Sequence, residues 1–89
     1  MQYEFVIVVD TKEEDKKAQE RLTAFFIKEG FSVSGVESLG KRMLAYPIKK
    51  RTEGLHLIFN LSGSKNPTTT EIKLKQDEMV LRTMVLKKE

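Results

Sequence analysis

The chain has no cysteine in its 89 residues, so disulfide staples and thiolate metal sites are excluded, and packing or a partner must hold a domain of this size together. That usage fits a reducing interior. There is one histidine, His56, with no nearby acid or thiol to complete a ligand set or a nucleophilic triad. Its place in LHLIFNL puts it opposite the Leu/Phe face of a strand, as an ordinary sheet-face residue. Glycines are scattered: Gly35 and Gly40 stand alone, and SGSKNP around Gly63 reads as a turn, so no phosphate-cradling loop is present. No apolar run approaches the ~20 residues that a membrane helix needs. The opening MQYEFVIVVD has neither a basic n-region nor a small-residue cleavage site. We expect a soluble, unexported protein with no catalytic centre, metal, cofactor or small-molecule substrate.

What is there is charge, unevenly placed. The net charge is +3 and the pI about 9.2. Asp10 to Asp15 is acidic, whereas Lys41 to Arg51 and Arg82 to Lys88 are basic. A localised positive surface invites an anionic partner; a merely solvated charged surface is the plain alternative. Glu13, Glu14 and Asp15 could be imagined as a cation site, but their place in the first turn of a helix is a sufficient reason for them.

One domain, residues 1–89, is expected, and a chain of this length buries only a little over roughly 60% of its unfolded surface. Tyr3, Phe5, Ile7 and Val9 form one apolar face of a first strand, and Val6 and Val8 on the other suggest a central strand covered at least partly on both sides. Thr11 and Glu14 have the spacing of a capping box. The helix that follows carries Ala18, Leu22, Phe25 and Phe26 on one stripe and ends at Gly30; Ile27 lies roughly opposite, either as an isolated exposed side chain or as part of a contact. A second strand runs from Phe31 to about Tyr46, bent or bulged at Gly35, and Pro47, lacking an N–H, places it at a sheet edge. KKRTEG, Lys49 to Gly54, reads as a hairpin loop before a third strand with Leu55, Leu57, Phe59 and Leu61. A short second helix starts either at Asn66-Pro67 or with a capping box from Thr68 to Glu71. Its β-branched residues make it dependent on tertiary contact. Met79 to Leu86 reads as a last strand, with Lys87, Lys88 and Glu89 as its frayed end. The order βαββαβ with right-handed crossovers points to an α+β two-layer sandwich of ferredoxin-like type.

Chemistry is concentrated in LGKRMLAYPIKKRTEG, Leu39 to Gly54. Lys41, Arg42, Lys49, Lys50 and Arg51 surround Tyr46 and Pro47. Such an arm can reach phosphates with its cations, while Leu44, Tyr46 and Pro47 meet a protein surface; a solubilising loop is the bland reading. Arg82 and Lys87 add charge on the last strand, and Tyr3 is either core or a stacking residue at the sheet margin. Met43, Met79 and Met84 read as packing residues.

YEFVIVV, ESLGKRMLAYPIKKRTEG and DEMVLRTMVLKK, in that order and spacing, resemble bacterial small-subunit ribosomal protein six over essentially the whole chain. The resemblance rests on Tyr3-Glu4, on Glu37 two before Leu39-Gly40, on Arg42 and Leu44-Ala45-Tyr46-Pro47-Ile48, and on Gly54 and Val80-Leu81-Arg82. It implies a four-stranded antiparallel sheet with both helices on one face and a non-enzymatic role. It also implies binding to the central domain of small-subunit ribosomal RNA as a heterodimer with small-subunit ribosomal protein eighteen. Carried over by position, Arg42, Lys49, Lys50 and Arg51 are the RNA or partner contacts, Tyr3, Arg82 and Lys87 further RNA candidates, and Leu44, Tyr46 and Pro47 partner contacts. Three features depart from the family: Leu39 stands where many relatives have tryptophan, TTTEIKLKQ is short and poor in leucine, and the longer, often acidic tail of many relatives is not among these 89 residues. Two other functions compete. A self-associating ferredoxin-like module binding a small metabolite lacks an obvious polar cluster, and a small hydrolase would need Arg and Asn in a phosphate loop where VVDTKEE is acidic.

Overall fold

The structure, a computed structural model, describes residues 1–88. Its elements are β1 (Gln2–Val9), α1 (Asp15–Lys28), β2 (Ser32–Ile48), β3 (Arg51–Ser62), α2 (Pro67–Lys75) and β4 (Val80–Lys88). The strands form one antiparallel sheet in the order β2-β3-β1-β4. β2, with Pro47, lies at an edge as its missing N–H requires.

Alternation decides which face is buried. Tyr3, Phe5, Ile7 and Val9 stand opposite Leu61, Phe59, Leu57 and Leu55, and all are buried. Against this face α1 sets Ala18, Leu22 and Phe26. Phe26 meets Phe5 and Phe59 with ring centroids 4.9 and 5.2 Å away. α2 contributes Leu74, and its Thr70 is fully buried while Ile72 is exposed. Tyr3 belongs to this core, its ring edge-on to Phe31 at 6.1 Å. Both helices lie on one face; on the other, the central strand β1 is covered in part, as expected, with Val6 half-buried. Val8 is buried on this open face.

The C-terminus of α1 behaves as its glycine implies. Gly30 has φ +98°, its N–H donates to the Ile27 carbonyl, and the Phe31 N–H donates to that of Phe26, both at 3.0 Å. This is a Schellman closure, and the Phe26–Phe31 contact is its hydrophobic component. The N-terminus differs from expectation, because Thr11 and Glu14 form no capping box and α1 starts after Glu14 without a side-chain cap. Asp10 shapes the turn instead, its Oδ1 accepting from the Lys12 N–H at 3.0 Å. The nearby acids take tertiary partners. Glu13 accepts twice from Arg21, at 2.7 and 2.8 Å, and Arg21 also reaches Asp77 before β4. Asp15 accepts from the Ser38 hydroxyl at 2.6 Å, which holds its carboxyl below the usual range.

At α2, Asn66 is the cap, its Oδ1 accepting from the Thr68 N–H at 2.9 Å ahead of Pro67. A buried carboxylate fastens this weak helix to α1. Glu29 accepts from Lys73 Nζ at 3.0 Å and from the Thr70 hydroxyl at 3.4 Å, with Lys65 Nζ at 3.7 Å. The hydrogen bond from Lys73 leads in holding the Glu29 carboxyl below its ordinary 4.5, against its burial. The unfolded chain therefore takes up this proton at a higher pH than the folded one. Glu29 stabilises the fold fully above the unfolded value, and that contribution is lost as pH falls through the lower, folded value. The urea midpoint of Glu29→Gln is expected below wild type at about pH 6 and to fall less on acidification to about pH 3. Parallel pH profiles for the two proteins would remove Glu29 as the source.

Two boundaries also move. Lys87 and Lys88 pair with Tyr3 and Gln2 rather than fraying; Glu89, assigned with them to a frayed end, lies outside the described residues. The hairpin loop contracts from Lys49–Gly54 to a turn at Lys49 and Lys50, with β3 starting at Arg51.

Candidate nucleic-acid and partner interface

The β2–β3 arm is a long two-stranded projection of the sheet edge with shifts of register after Val33, Ser38 and Met43. At its tip Lys49 and Lys50 have φ +50° and +66°, the pairing of left-handed residues that matches the natural twist of a hairpin. Lysine lacks the freedom of Asn or Gly in this conformation, so the tip carries backbone strain and two cations together. Behind the tip, Met43 pairs with Glu53 and Ile48 with Arg51, leaving Leu44, Ala45, Tyr46 and Pro47 opposite Thr52 alone. This excess is a large bulge, with Tyr46 60% and Met43 78% exposed. Leu44 and Val8 both approach Gly54 on the side where a side chain there would stand. Val8 Cγ1 occupies the place where a side chain at 54 would begin, so a glycine there leaves room for the Val8 side chain at the base of the arm.

The basic candidates have different situations. Lys50 is exposed and has no ion pair or hydrogen bond among the described residues. Arg42 is exposed and donates from Nε to the Leu39 carbonyl at 3.3 Å, a neutral acceptor that leaves its charge available. Lys49 bends toward β4 and donates to the Val80 carbonyl at 3.3 Å. Arg51 Nε pairs with Asp10 Oδ2 at 3.1 Å, where the carboxylate is nearly buried. Arg82, paired with Val8 in register, is exposed near the tip. Lys87 is exposed at the other end of β4, opposite Tyr3, so the fold does not bring it to the arm. Tyr3 is buried and donates its hydroxyl to Met1 Sδ at 3.4 Å.

Sequence reasoning missed the open sheet face as a surface. Val6 and Ile58 are half-buried there, while Met84 and Leu86 are 44% and 46% exposed. Val6, Val8, His56, Arg82 and Met84 line a shallow hollow of about 160 Å³ on it. His56 is one wall, its Nδ1 3.0 Å from the Gly54 carbonyl. The signal was present in the second apolar series of the same strands, but it reads as burial unless the layer count is known. Of the methionines, Met79 packs on the core, whereas Met43 and Met84 are at the surface.

The sequence profile of the family described as Ribosomal protein S6 matches residues 2–87. The chain belongs to the ribosomal protein S6 family. Small ribosomal subunit protein bS6 of Corynebacterium jeikeium (strain K411) is 34% identical over 93 residues, spanning 99% of this chain and 97% of that protein. The bS6 protein of Corynebacterium diphtheriae is 34% identical over 90 residues, with 96% and 94% covered. In three dimensions the fold matches the crystal structure of 30S ribosomal protein S6 from Thermotoga maritima, with TM-score 0.79 and 20% identity over 98% of this chain and 86% of that one. This is the ferredoxin-like fold. The S6 family is structural and non-enzymatic, belongs to the small ribosomal subunit with its RNA, and is cytoplasmic in bacteria.

Proposed function

We propose that this S6 family protein binds the central domain of small-subunit ribosomal RNA together with small-subunit ribosomal protein eighteen, as part of platform assembly. The observation that carries the reading is the adjacency of two unlike surfaces. Among the described residues no helix lies over the sheet face bearing Val6, Ile58, Met84 and Leu86, and the arm beside it carries Arg42, Lys49 and Lys50. The apolar face, together with Leu44, Tyr46 and Pro47 of the arm, takes the protein partner. The cations take backbone phosphates, releasing counterions and giving affinity without base preference. Each surface is modest alone, and joining them in one rigid dimer makes the second contact intramolecular.

The test is a titration of a central-domain RNA fragment at several salt concentrations, with and without protein eighteen. Tight binding with the partner, weak binding without it and a steep loss with salt are expected. A stable homodimer in ultracentrifugation that ignores both RNA and protein eighteen would overturn this reading in favour of a self-associating module.

A further inference from the structure

A second basic site forms where the hairpin tip, the end of α2 and the start of β4 meet. Lys49, Lys75, Val80, Leu81, Arg82 and Thr83 line an open cleft of about 310 Å³ there. Its cations come from three separate elements, and no lining residue is acidic. Neither Lys75 nor Arg82 forms an ion pair among the described residues, and Lys49 is steadied by the uncharged Val80 carbonyl. Of the neighbouring carboxylates, Asp10 is paired with Arg51 and Asp77 with Arg21, whereas Glu71 accepts from the Thr83 hydroxyl at 3.2 Å and sets one acidic charge on the rim. Folding thus brings three cations together against a single rim carboxylate, an excess of positive charge that raises the local concentration of anions.

We propose that this cleft seats one backbone phosphate of the bound RNA, with Lys49, Lys75 and Arg82 as its cations; the proposal rests on the RNA-binding reading above. Arg82 supplies the planar fork that matches phosphate oxygens, and the two lysines supply movable point charges. No aromatic side chain lines the cleft, so it offers no platform for a stacked base and recognises backbone only. Lys75 also complements the C-terminal end of the α2 dipole. That role accounts for a cation on the last turn but not for its convergence with Lys49 and Arg82.

The experiment measures RNA affinity against salt, with protein eighteen present, for wild type, Lys75→Gln, Arg82→Gln and the double variant. Lys28→Gln, exposed at the end of α1 away from the cleft, is the control. Loss of one phosphate contact lowers the magnitude of the log K against log salt slope by about 0.7–0.9. Each single variant is expected to show that change and a roughly three- to tenfold weaker affinity near ~0.1 M salt. The double variant should lose little more slope than either single one, because both cations serve the same phosphate. Lys28→Gln should match wild type, and thermal melting should confirm that every variant is folded. Wild-type binding with unchanged slopes in the cleft variants, or slope losses that add fully in the double variant, would overturn the cleft and leave the RNA-binding reading intact. No wild-type binding at any salt concentration would overturn both.

Discussion

Phe26→Ala is expected to lower the unfolding free energy by about 3–5 kcal/mol, against roughly 5–15 kcal/mol for a whole domain. Phe26 is fully buried and lies among Phe5, Phe25, Phe31 and Phe59, with ring centroids between 4.9 and 6.5 Å away. Truncation leaves a cavity bounded by rigid rings on both layers, which cannot collapse into it without moving the helix or the sheet. The same substitution removes the hydrophobic half of the helix closure, where Phe26 and Phe31 meet across the Gly30 turn. Ile27→Ala is the internal reference: one residue along the same helix, Ile27 is 59% exposed, and its truncation should move stability by about 0.5 kcal/mol or less. Urea unfolding of the two variants side by side decides the matter. A Phe26 loss no larger than that of Ile27 would mean that the aromatic cluster does not hold the two layers together.

What could be read from the residues, and what could not, divides along local and tertiary causes. The strands showed themselves through alternation, as in Tyr3-Phe5-Ile7-Val9 facing Leu61-Phe59-Leu57-Leu55, and α1 through the stripe ending at Gly30. Asn66-Pro67 marked the start of α2 because cap and first-turn chemistry are local. The Thr11–Glu14 capping box failed where tertiary partners intervene: Arg21 takes Glu13, Ser38 takes Asp15 and Asp10 organises the turn. The hairpin tip was misread because Lys49-Lys50 lacks the Asn-Gly chemistry by which such turns announce themselves. The basic arm was legible as a cluster of charge, but its division into free and engaged cations was not. Asp10 and Val80, which take Arg51 and Lys49, are far away in sequence. Lys75 carried no signal at all, since a lysine in the last turn of a helix has an ordinary reason to be there.

That division governs how the arm should be tested. Lys50→Glu is expected to weaken RNA binding and flatten its salt dependence while leaving the unfolding midpoint unchanged, because Lys50 is exposed at the tip and touches no counter-charge among the described residues. Arg51→Glu should do something different. Its guanidinium lies 3.1 Å from Asp10 Oδ2, on a carboxylate whose side chain is only 9% exposed. Reversal strands that carboxylate and sets a like charge beside it. Because Arg51 itself is 39% exposed, water screens part of the effect, and a loss of about 1–3 kcal/mol is expected rather than the larger figure for a fully buried pair. Asp10 also shapes the turn between β1 and α1, and its backbone N–H donates to the Met79 carbonyl at 2.7 Å, so the disturbance reaches the entry to β4. A double-mutant cycle with Asp10→Asn reads the coupling directly: the neutral side chain should recover part of the stability lost in Arg51→Glu. Additive losses in that cycle would show that the ion pair contributes nothing and that Arg51 is free to serve RNA like its neighbours. With coupling present, a combined reversal of Lys49, Lys50 and Arg51 mixes a folding defect with a binding defect, and the RNA role of the arm has to be judged on Lys50 and Arg42, which have no counter-charge among the described residues.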